Sequence, residues 1–107
     1  MTTENGNSAG EVITLVEAID FTHYYQEEYP DSTKAYLIDV DKLDLITKQK
    51  HCVGVRIYNG YDKETNTTNV VLVGVNDQGE DMTGGIIIER ARPCPPYCPS
   101  KSSLIKQ

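Results

Sequence analysis

The sequence has no long apolar run, few basic residues and no apolar leader at its start. Its longest apolar runs cover residues 70–73 and 86–88, whereas a membrane-spanning helix needs about 20 apolar residues. Ten Lys and Arg residues stand against sixteen Asp and Glu residues, which gives a formal charge of −6 at pH 7. That balance repels phosphate backbones and anionic lipid. We therefore expect no nucleic-acid partner, no membrane span and, without a secretory signal, a cytoplasmic location.

The chain length allows one domain of ordinary size. Its 107 residues fall within the usual range for a single domain. Residues 1–10 are mostly small and polar, so they cannot offset the entropy of being ordered, and we predict a flexible tail. Residues 11–92 are predicted to form a single α+β domain, and residues 93–107 a C-terminal tail rich in Pro and Cys.

The first predicted helix has a clear start and a clear end. Thr14 and Glu17 have the spacing of a capping box, in which their side chains satisfy free amides at a helix start. Apolar residues then recur at helical spacing until Pro30, which disfavours a helical conformation in the residue before it. The pattern predicts a helix over about 15–28.

A second helix is predicted to be short. Asp39 is a suitable N-cap, and the residues after it are apolar at helical spacing through about Thr47. Just before it, residues 35–38 form a short apolar stretch that is either an edge strand or a lead-in to this helix. Periodicity does not separate these two interpretations.

The rest of the chain has the composition of antiparallel strands. Residues 52–58 and 69–75 are rich in Val, Ile and Tyr and are separated by a polar run over 60–68. Residues 76–79 read Asn-Asp-Gln-Gly, which indicates a tight hairpin turn. A third strand is predicted over about 82–91, with a Gly-Gly pair that marks a bulge or a close backbone approach. The predicted fold is α+β, with two N-terminal helices packed on a three-stranded antiparallel meander and room for a fourth short edge strand.

Alternation along the two long strands predicts two apolar faces. If the register follows the hairpin, one face, covered by the helices, carries Val53, Val55, Ile57, Val71, Val73 and Val75. The opposite face then carries Cys52, Gly54, Arg56, Tyr58, Val70, Leu72 and Gly74. This second face is too apolar to remain in water, so the tail, a second copy of the chain or a foreign partner is expected to cover it. The partner-binding residues of this hypothesis are Arg56, Tyr58, Val70 and Leu72.

The three cysteines leave several chemical interpretations open. Cys94 and Cys98 lie in a proline-rich run that is expected to be extended, largely as polyproline. They are unreactive thiols, a disulfide, or metal ligands or a redox pair. Together with His51 and Cys52 they supply the ligand types of a zinc site, although three residues rather than two separate the pair. We expect no cofactor unless these four residues bind zinc.

Three stretches of the chain resemble a family of short bacterial proteins of unassigned activity with a C-terminal Cys-Pro-Pro-x-Cys tail. They are residues 52–58, residues 71–75 with Asp77, Gly79 and Asp81 after them, and residues 93–98. The resemblance covers about 11–104. It implies that the cysteines and strand glycines belong to a family pattern and that the isolated domain is the whole protein. It implies no catalytic residue, substrate or cofactor, and His51 is not part of the pattern.

The sequence contains no phosphate loop, dinucleotide fingerprint, HExxH motif or nucleophile elbow. The acidic hairpin residues Asp77, Glu80 and Asp81 are either solvated or hold a hard cation. We therefore expect a non-enzymatic protein-protein interaction module, or a homo-oligomer, that uses the apolar sheet face. The alternative is a thiol-redox or zinc-binding protein that uses Cys52, Cys94 and Cys98.

Overall fold

Over residues 9–107 the chain forms two helices and five strands, which confirms the predicted α+β class. The computed structural model describes residues 9–107, so most of the predicted N-terminal tail lies outside the described residues. The elements in chain order are α1 (Leu15–Glu28), β1 (Ala35–Leu37), α2 (Val40–Thr47), β2 (Cys52–Asp62), β3 (Thr67–Asn76), β4 (Ile87–Ile88) and β5 (Arg92–Cys94). Strands β2, β3 and β4 form the expected antiparallel sheet in that order.

Helix α1 begins at the predicted capping box. The Thr14 hydroxyl accepts a hydrogen bond from the Glu17 amide at 3.1 Å, and the Glu17 carboxylate accepts one from the Thr14 amide at 3.0 Å. These two bonds satisfy amides that a helix start otherwise leaves free. The helix ends at Glu28, one residue before its C-cap Tyr29 and two before Pro30. Both predicted limits are confirmed.

Helix α2 packs on the three-stranded sheet through its one fully buried residue, Ile46. Asp39 occupies the predicted N-cap position, but its side chain makes no capping hydrogen bond. Where the helix crosses β3, a Cβ atom on Gly74 would come within 3.3 Å of the Ile46 side chain and 3.1 Å of the Cys52 sulfur. The absence of a side chain at Gly74 therefore lets the helix lie close to the strand.

The β2-β3 hairpin is longer than the sequence predicts. Most of the polar run 60–68 belongs to the strands, and the turn is confined to residues 63–66. Asn66 adopts a φ of 57°, a left-handed conformation that Asn tolerates better than most residues. The next turn is confirmed: Gly79 has a φ of 80°, and its amide bonds to the Asn76 carbonyl at 2.9 Å.

The third strand is shorter than predicted, and the residue before it bonds to the side chain of Gln49, two residues beyond α2, rather than to β3. Only Ile87–Ile88 is strand, with one isolated bridge between Asp81 and Val75. The Ile86 amide donates to the side-chain oxygen of Gln49 at 2.9 Å. A Cβ atom on Gly85 would collide with that same oxygen, so the close backbone approach predicted for the Gly-Gly pair is confirmed at Gly85.

The register of the long hairpin differs from the predicted one. Arg56 pairs with Val73, and Ile57 pairs with Leu72. Directly opposed residues of an antiparallel pair lie on the same face, so the predicted grouping of Ile57 with Val73 is wrong. A bulge between Cys52 and Gly54 also shifts the strand by one residue at its start. A one-residue offset of this kind moves every side chain of one strand to the other face.

The stretch before α2 is a strand, which resolves the ambiguity left by its periodicity. Ala35–Leu37 pairs with Arg92–Cys94 in a separate two-stranded sheet. It is therefore not a fourth strand of the larger sheet.

The described residues form two compact units. One is Leu37–Arg92 and contains α2 with the three-stranded sheet. The other combines the chain up to Tyr36 with Pro93–Gln107. In this second unit the buried Gln26 of α1 donates to the Leu104 carbonyl at 3.0 Å and accepts from the Lys106 amide at 2.8 Å. The end of the chain is thus bonded to α1. Across residues 9–107, neither helix has the length and apolar character needed to cross a membrane.

Candidate functional site

The four predicted partner-binding residues do not share one surface. Arg56 and Tyr58 lie on the face of the sheet that also carries Val71, Val73 and Val75. Val70 and Leu72 lie on the opposite face and are buried, with 8% and 4% of their surface exposed. The prediction that the four form a single patch is wrong, because it rested on the incorrect register. Both faces of the central strand β3 are covered.

Arg56, Tyr58 and Asp81 form a polar cluster on the first of these faces. The Arg56 guanidinium donates to Asp81 Oδ1 at 2.5 Å, and the Tyr58 hydroxyl donates to Asp81 Oδ2. The register explains this meeting, because Arg56 lies opposite Val73 and Asp81 lies opposite Val75. Two long side chains of β2 therefore run across the valines of β3 to one carboxylate.

The cluster holds its groups in the charge states that they have at neutral pH. The hydrogen bond from Tyr58 lowers the pKa of Asp81, and Arg56 lowers it further. The same contacts raise the pKa of Tyr58, chiefly through its bond to Asp81, and also raise the pKa of Arg56. A carboxylate whose pKa is lowered by two donors is a weak general base near pH 7. The arrangement supports a structural role in which polar side chains cover apolar ones.

Asp81 fits neither of the two interpretations of the acidic hairpin. Its carboxylate binds Arg56 and Tyr58, so it is neither freely solvated nor directed at a cation. Within residues 9–107, no group of three His, Cys, Asp or Glu side chains is placed so that it could hold a metal ion.

The outer edge of β2 is the most unusual surface of the sheet unit. In the strand order β2-β3-β4, the described residues give β2 a single neighbour, although it is eleven residues long. Its outer backbone groups therefore face away from the sheet. Natural edge strands are usually protected by Lys, Pro, bulges or shortness. Residues 54–62 contain neither Lys nor Pro, and the bulge lies before them.

Exposed apolar side chains accompany this open edge. Ile57 is 62% exposed and Tyr61 is 59% exposed, and both lie on the same face of β2. The predicted strand ends at Tyr58, so Asn59 and Tyr61 lie outside it, whereas β2 continues to Asp62. The alternation of apolar residues from Val55 through Ile57 to Tyr61 is a signal that could have extended it.

Helix α1 carries a second exposed apolar surface. Phe21 and Tyr24 are 69% and 68% exposed, and Asp20 and Glu27 lie beside them. The backbone of a helix satisfies its own hydrogen bonds within the helix. This surface therefore offers only side chains to a partner, whereas the edge of β2 also offers backbone donors and acceptors.

A cavity of about 360 Å³ lies where α2 begins in the sheet unit. Its charged lining residues are Asp39, Lys42, Glu89, Arg90 and Arg92. The nearest charge to the Arg90 guanidinium is Glu89, at 3.5 Å. Acidic and basic groups are both present, so the cavity has no strong preference for a ligand of one charge.

The three cysteines do not act as one group. Cys94 and Cys98 form a disulfide, with Cα atoms 4.7 Å apart. Cys52 is a free thiol that donates to the Gly54 carbonyl at 3.2 Å in the other compact unit. Of the interpretations left open for the tail pair, the structure shows the disulfide. Because Cys94 and Cys98 are bonded to each other, the predicted set of three thiols is not present.

The proline-rich run is turned rather than extended. Two consecutive cis peptide bonds, Cys94-Pro95 and Pro95-Pro96, lie within it, and the Tyr97 amide bonds to the Pro93 carbonyl at 2.9 Å. An extended run would separate Cys94 from Cys98 by roughly 12 Å, at about 3.1 Å per residue. The disulfide is incompatible with that separation, so the polyproline prediction is wrong.

No protein-family model, no curated protein and no solved structure matches this chain. The class that the fold defines is a small α+β chain with an open antiparallel sheet edge and a disulfide-closed tail. Any assignment of function therefore depends on the geometry described above.

Proposed function

We propose that this chain is a non-enzymatic protein-protein interaction module that binds an extended partner segment along the outer edge of β2. The observation that carries the proposal is an eleven-residue edge strand with one strand neighbour among the described residues and with no Lys or Pro over 54–62. The partner adds a strand to the sheet by main-chain hydrogen bonds. The proposal keeps the interaction role expected from the sequence but moves it from a sheet face to a sheet edge.

Main-chain hydrogen bonds supply the first part of the binding energy. Each residue of a strand directs its donor and acceptor to one side, so about half of those in an edge strand face outward. An added strand pairs them without any change in the fold of β2. The open backbone thus favours a partner that is extended over several residues.

Exposed side chains supply the second part and the specificity. Ile57 and Tyr61 on one face, and Arg56 and Tyr58 on the other, all lie within reach of an added strand. Full burial of an Ile side chain is worth about 1.5–3 kcal/mol. Ile57 is 62% exposed, so its further burial contributes about 1–2 kcal/mol.

The proposal is tested with peptides selected against the purified full chain. Nine-residue peptides from a phage-displayed random library are measured for binding by fluorescence anisotropy, and their contacts are mapped by amide chemical shifts. We expect the shifted amides to cluster in β2. Ile57→Lys places a charge on the edge and is expected to weaken binding about tenfold or more.

Ile87→Lys is the matched control, because Ile87 is 51% exposed on β4 at the other edge of the same sheet. This variant should bind like the unmodified chain. Shifts that cluster outside β2, or equal loss of binding in the two variants, would contradict the proposal. Circular dichroism spectra of both variants establish that each is folded.

A second candidate function is reversible thiol-disulfide chemistry at the tail. The observation that favours it is the asymmetry of the pair: Cys98 is exposed, whereas Cys94 is only 2% exposed. An accessible sulfur can be attacked by an external thiolate, with release of the other cysteine as a thiol. Thiol counting should find one free thiol, Cys52, before reduction and three afterwards.

Equilibration in glutathione buffers of graded ratio tests this second function. A regulatory or catalytic disulfide opens within the range of ratios that cells maintain, whereas a structural disulfide remains closed throughout that range. A pair that stays oxidised in every buffer would reduce the tail disulfide to a structural role.

A further inference from the structure

We infer that the segment which pairs with β2 is β2 of a second copy of this chain, in one particular antiparallel register. The inference rests on the proposed function and deepens it by naming the partner. It would join two three-stranded sheets into one continuous sheet across a two-fold axis. In such an interface the same surface patch is used by both copies.

Symmetry limits the registers that are possible. When the two-fold axis is perpendicular to the sheet, each residue faces the one equally distant from the axis on the other copy. Opposed residues of an antiparallel pair lie on the same face. The axis must therefore lie midway between the two copies of one β2 residue, and not between two successive residues. Only then do side chains on the same face of the two sheets oppose each other.

Pairing of opposite charges favours one of these symmetric registers. Arg56 and Asp62 are the only charged residues of β2, and both lie on the same face. They oppose each other in the dimer only when the axis passes through Asn59. An axis through Ile57 would leave Asp62 facing Cys52 of the second copy. An axis through Tyr58 would set Arg56 against Gly60 of the second copy.

The Asn59-centred register also matches the uncharged side chains. It places Ile57 opposite Tyr61 of the second copy, which is the aromatic with β-branched pairing that stabilises antiparallel sheets. It places Tyr58 opposite Gly60 of the second copy, where the small residue leaves space. The two-fold axis makes every one of these pairs twice.

The two charged groups remain accessible for this pairing. The Arg56 side chain is 46% exposed although its Nη1 atom bonds to Asp81. A guanidinium has five N–H donors, so one bond to Asp81 leaves others for a second carboxylate. Asp62 is half-buried, and its Oδ1 atom accepts a bond from the Glu64 amide at 2.9 Å. A carboxylate oxygen accepts more than one hydrogen bond.

Cysteine cross-linking tests the register directly. All variants are made in the full chain with Cys52→Ala, so that the tail disulfide is the only native cysteine pair. Asn59→Cys sits on the proposed axis and should form a dimer disulfide with itself under mild oxidation. Ile57→Cys and Tyr61→Cys should cross-link when mixed with each other, and each should cross-link at least about tenfold less alone, because each faces the other position.

Light scattering coupled to size exclusion, over a wide range of concentrations, tests the dimer itself. We expect a concentration-dependent dimer for the unmodified chain and for the control Ile87→Lys, and a monomer for Ile57→Lys. Asp62→Arg places two like-charged pairs in the interface and should raise the dissociation constant about tenfold or more. Asp77→Arg makes the same change of net charge in the exposed hairpin turn and should leave the constant unchanged.

A chain that stays monomeric at every concentration, or a dimer that cross-links in another register or ignores Ile57→Lys, would overturn the inference. Neither result contradicts the proposed function if selected peptides still bind along β2. Loss of peptide binding at β2, with the dimer also absent, would remove both.

Discussion

At the scale of single residues, the structure depends on contacts that allow little change. Helix α2 reaches the sheet at Ile46, which has no exposed surface, and Gly74 provides the space beneath it. Gln49, two residues beyond this helix, accepts a hydrogen bond from the Ile86 amide, and its side-chain oxygen occupies the position where Gly85 would carry a Cβ atom. Ile46 thus joins α2 to β3, and Gln49 joins the segment after α2 to the residue before β4.

Ile46→Ala should lower the free energy of unfolding by about 2–5 kcal/mol, because it removes a fully buried side chain and leaves a cavity. Leu45→Ala changes the neighbouring residue of the same helix, which is 52% exposed, and should cost less than about 1 kcal/mol. Urea denaturation of the two variants measures the difference. Equal midpoints would show that Ile46 does not anchor α2 as the structure indicates.

Asp81 predicts a pH dependence of stability whose sign follows from its lowered pKa. Tyr58 and then Arg56 depress the pKa of Asp81 in the folded chain, so its contribution is present above the unfolded pKa. That contribution is lost as the pH falls below the unfolded value of about 3.9 and through the folded one. Thermal unfolding midpoints of the unmodified chain should therefore fall more steeply with acid than those of Asp81→Asn.

Asp77→Asn serves as the control for this titration, because Asp77 is an exposed residue of the same hairpin. Its midpoints should follow the acid dependence of the unmodified chain. The role assigned to the Arg56, Tyr58 and Asp81 cluster fails if Asp81→Asn shows the same acid dependence as the unmodified chain.

At the scale of elements, α1 and the end of the chain stabilise each other. Gln26 bonds to both Leu104 and Lys106, and the His23 ring lies 2.9 Å from the Ser103 carbonyl. The Lys106 ammonium is 3.8 Å from the Glu27 carboxylate. The residues that α1 presents to this segment are therefore mostly polar, while Phe21 and Tyr24 remain exposed.

Gln26→Ala should lower the free energy of unfolding by about 1–3 kcal/mol, because two hydrogen bonds from a buried side chain are lost together. The Lys106 amide should also exchange its hydrogen faster. Glu28→Ala, at an exposed position of the same helix, is the control and should leave that exchange unchanged. Unchanged exchange in Gln26→Ala would show that the end of the chain is held by other contacts.

At the scale of the whole molecule, net negative charge opposes association between copies through their exposed apolar surfaces. The chain carries a formal charge of −6 at pH 7 and has a pI near 4.7. Repulsion between copies weakens as the net charge approaches zero. An open strand edge without Lys or Pro, such as that of β2 over 54–62, is then the surface most prone to pair with other chains.

Solubility should accordingly pass through a minimum near pH 4.7, which turbidity across a pH series measures. Ile57→Lys should reduce the turbidity at this minimum more than Ile87→Lys does, although both variants change the net charge equally. Equal effects of the two variants would indicate association through a surface other than β2.

Short sequence motifs correctly predicted the helix limits and the turn that are set by residues close together in the chain. The capping box and Pro30 bound α1, and the Asn and Gly of 76–79 form the expected turn. The outward-facing residues of β2 were predicted only in part. Arg56 and Tyr58 do not share the predicted face with Val70 and Leu72, and β2 extends past its predicted end at Tyr58 to include Tyr61.

The α+β class, the limits of α1 and the turn at 76–79 could be predicted from the sequence, because caps, prolines and glycines act on the backbone within a few residues. The tertiary structure alone decided the strand register, the pairing of β1 with β5 and the disulfide in the tail. Each of these three features depends on contacts between residues whose relative position is not set by the conformational preferences of the residues around them. A single bulged residue is enough to exchange the two faces of a strand, and only the packed sheet shows where that residue lies.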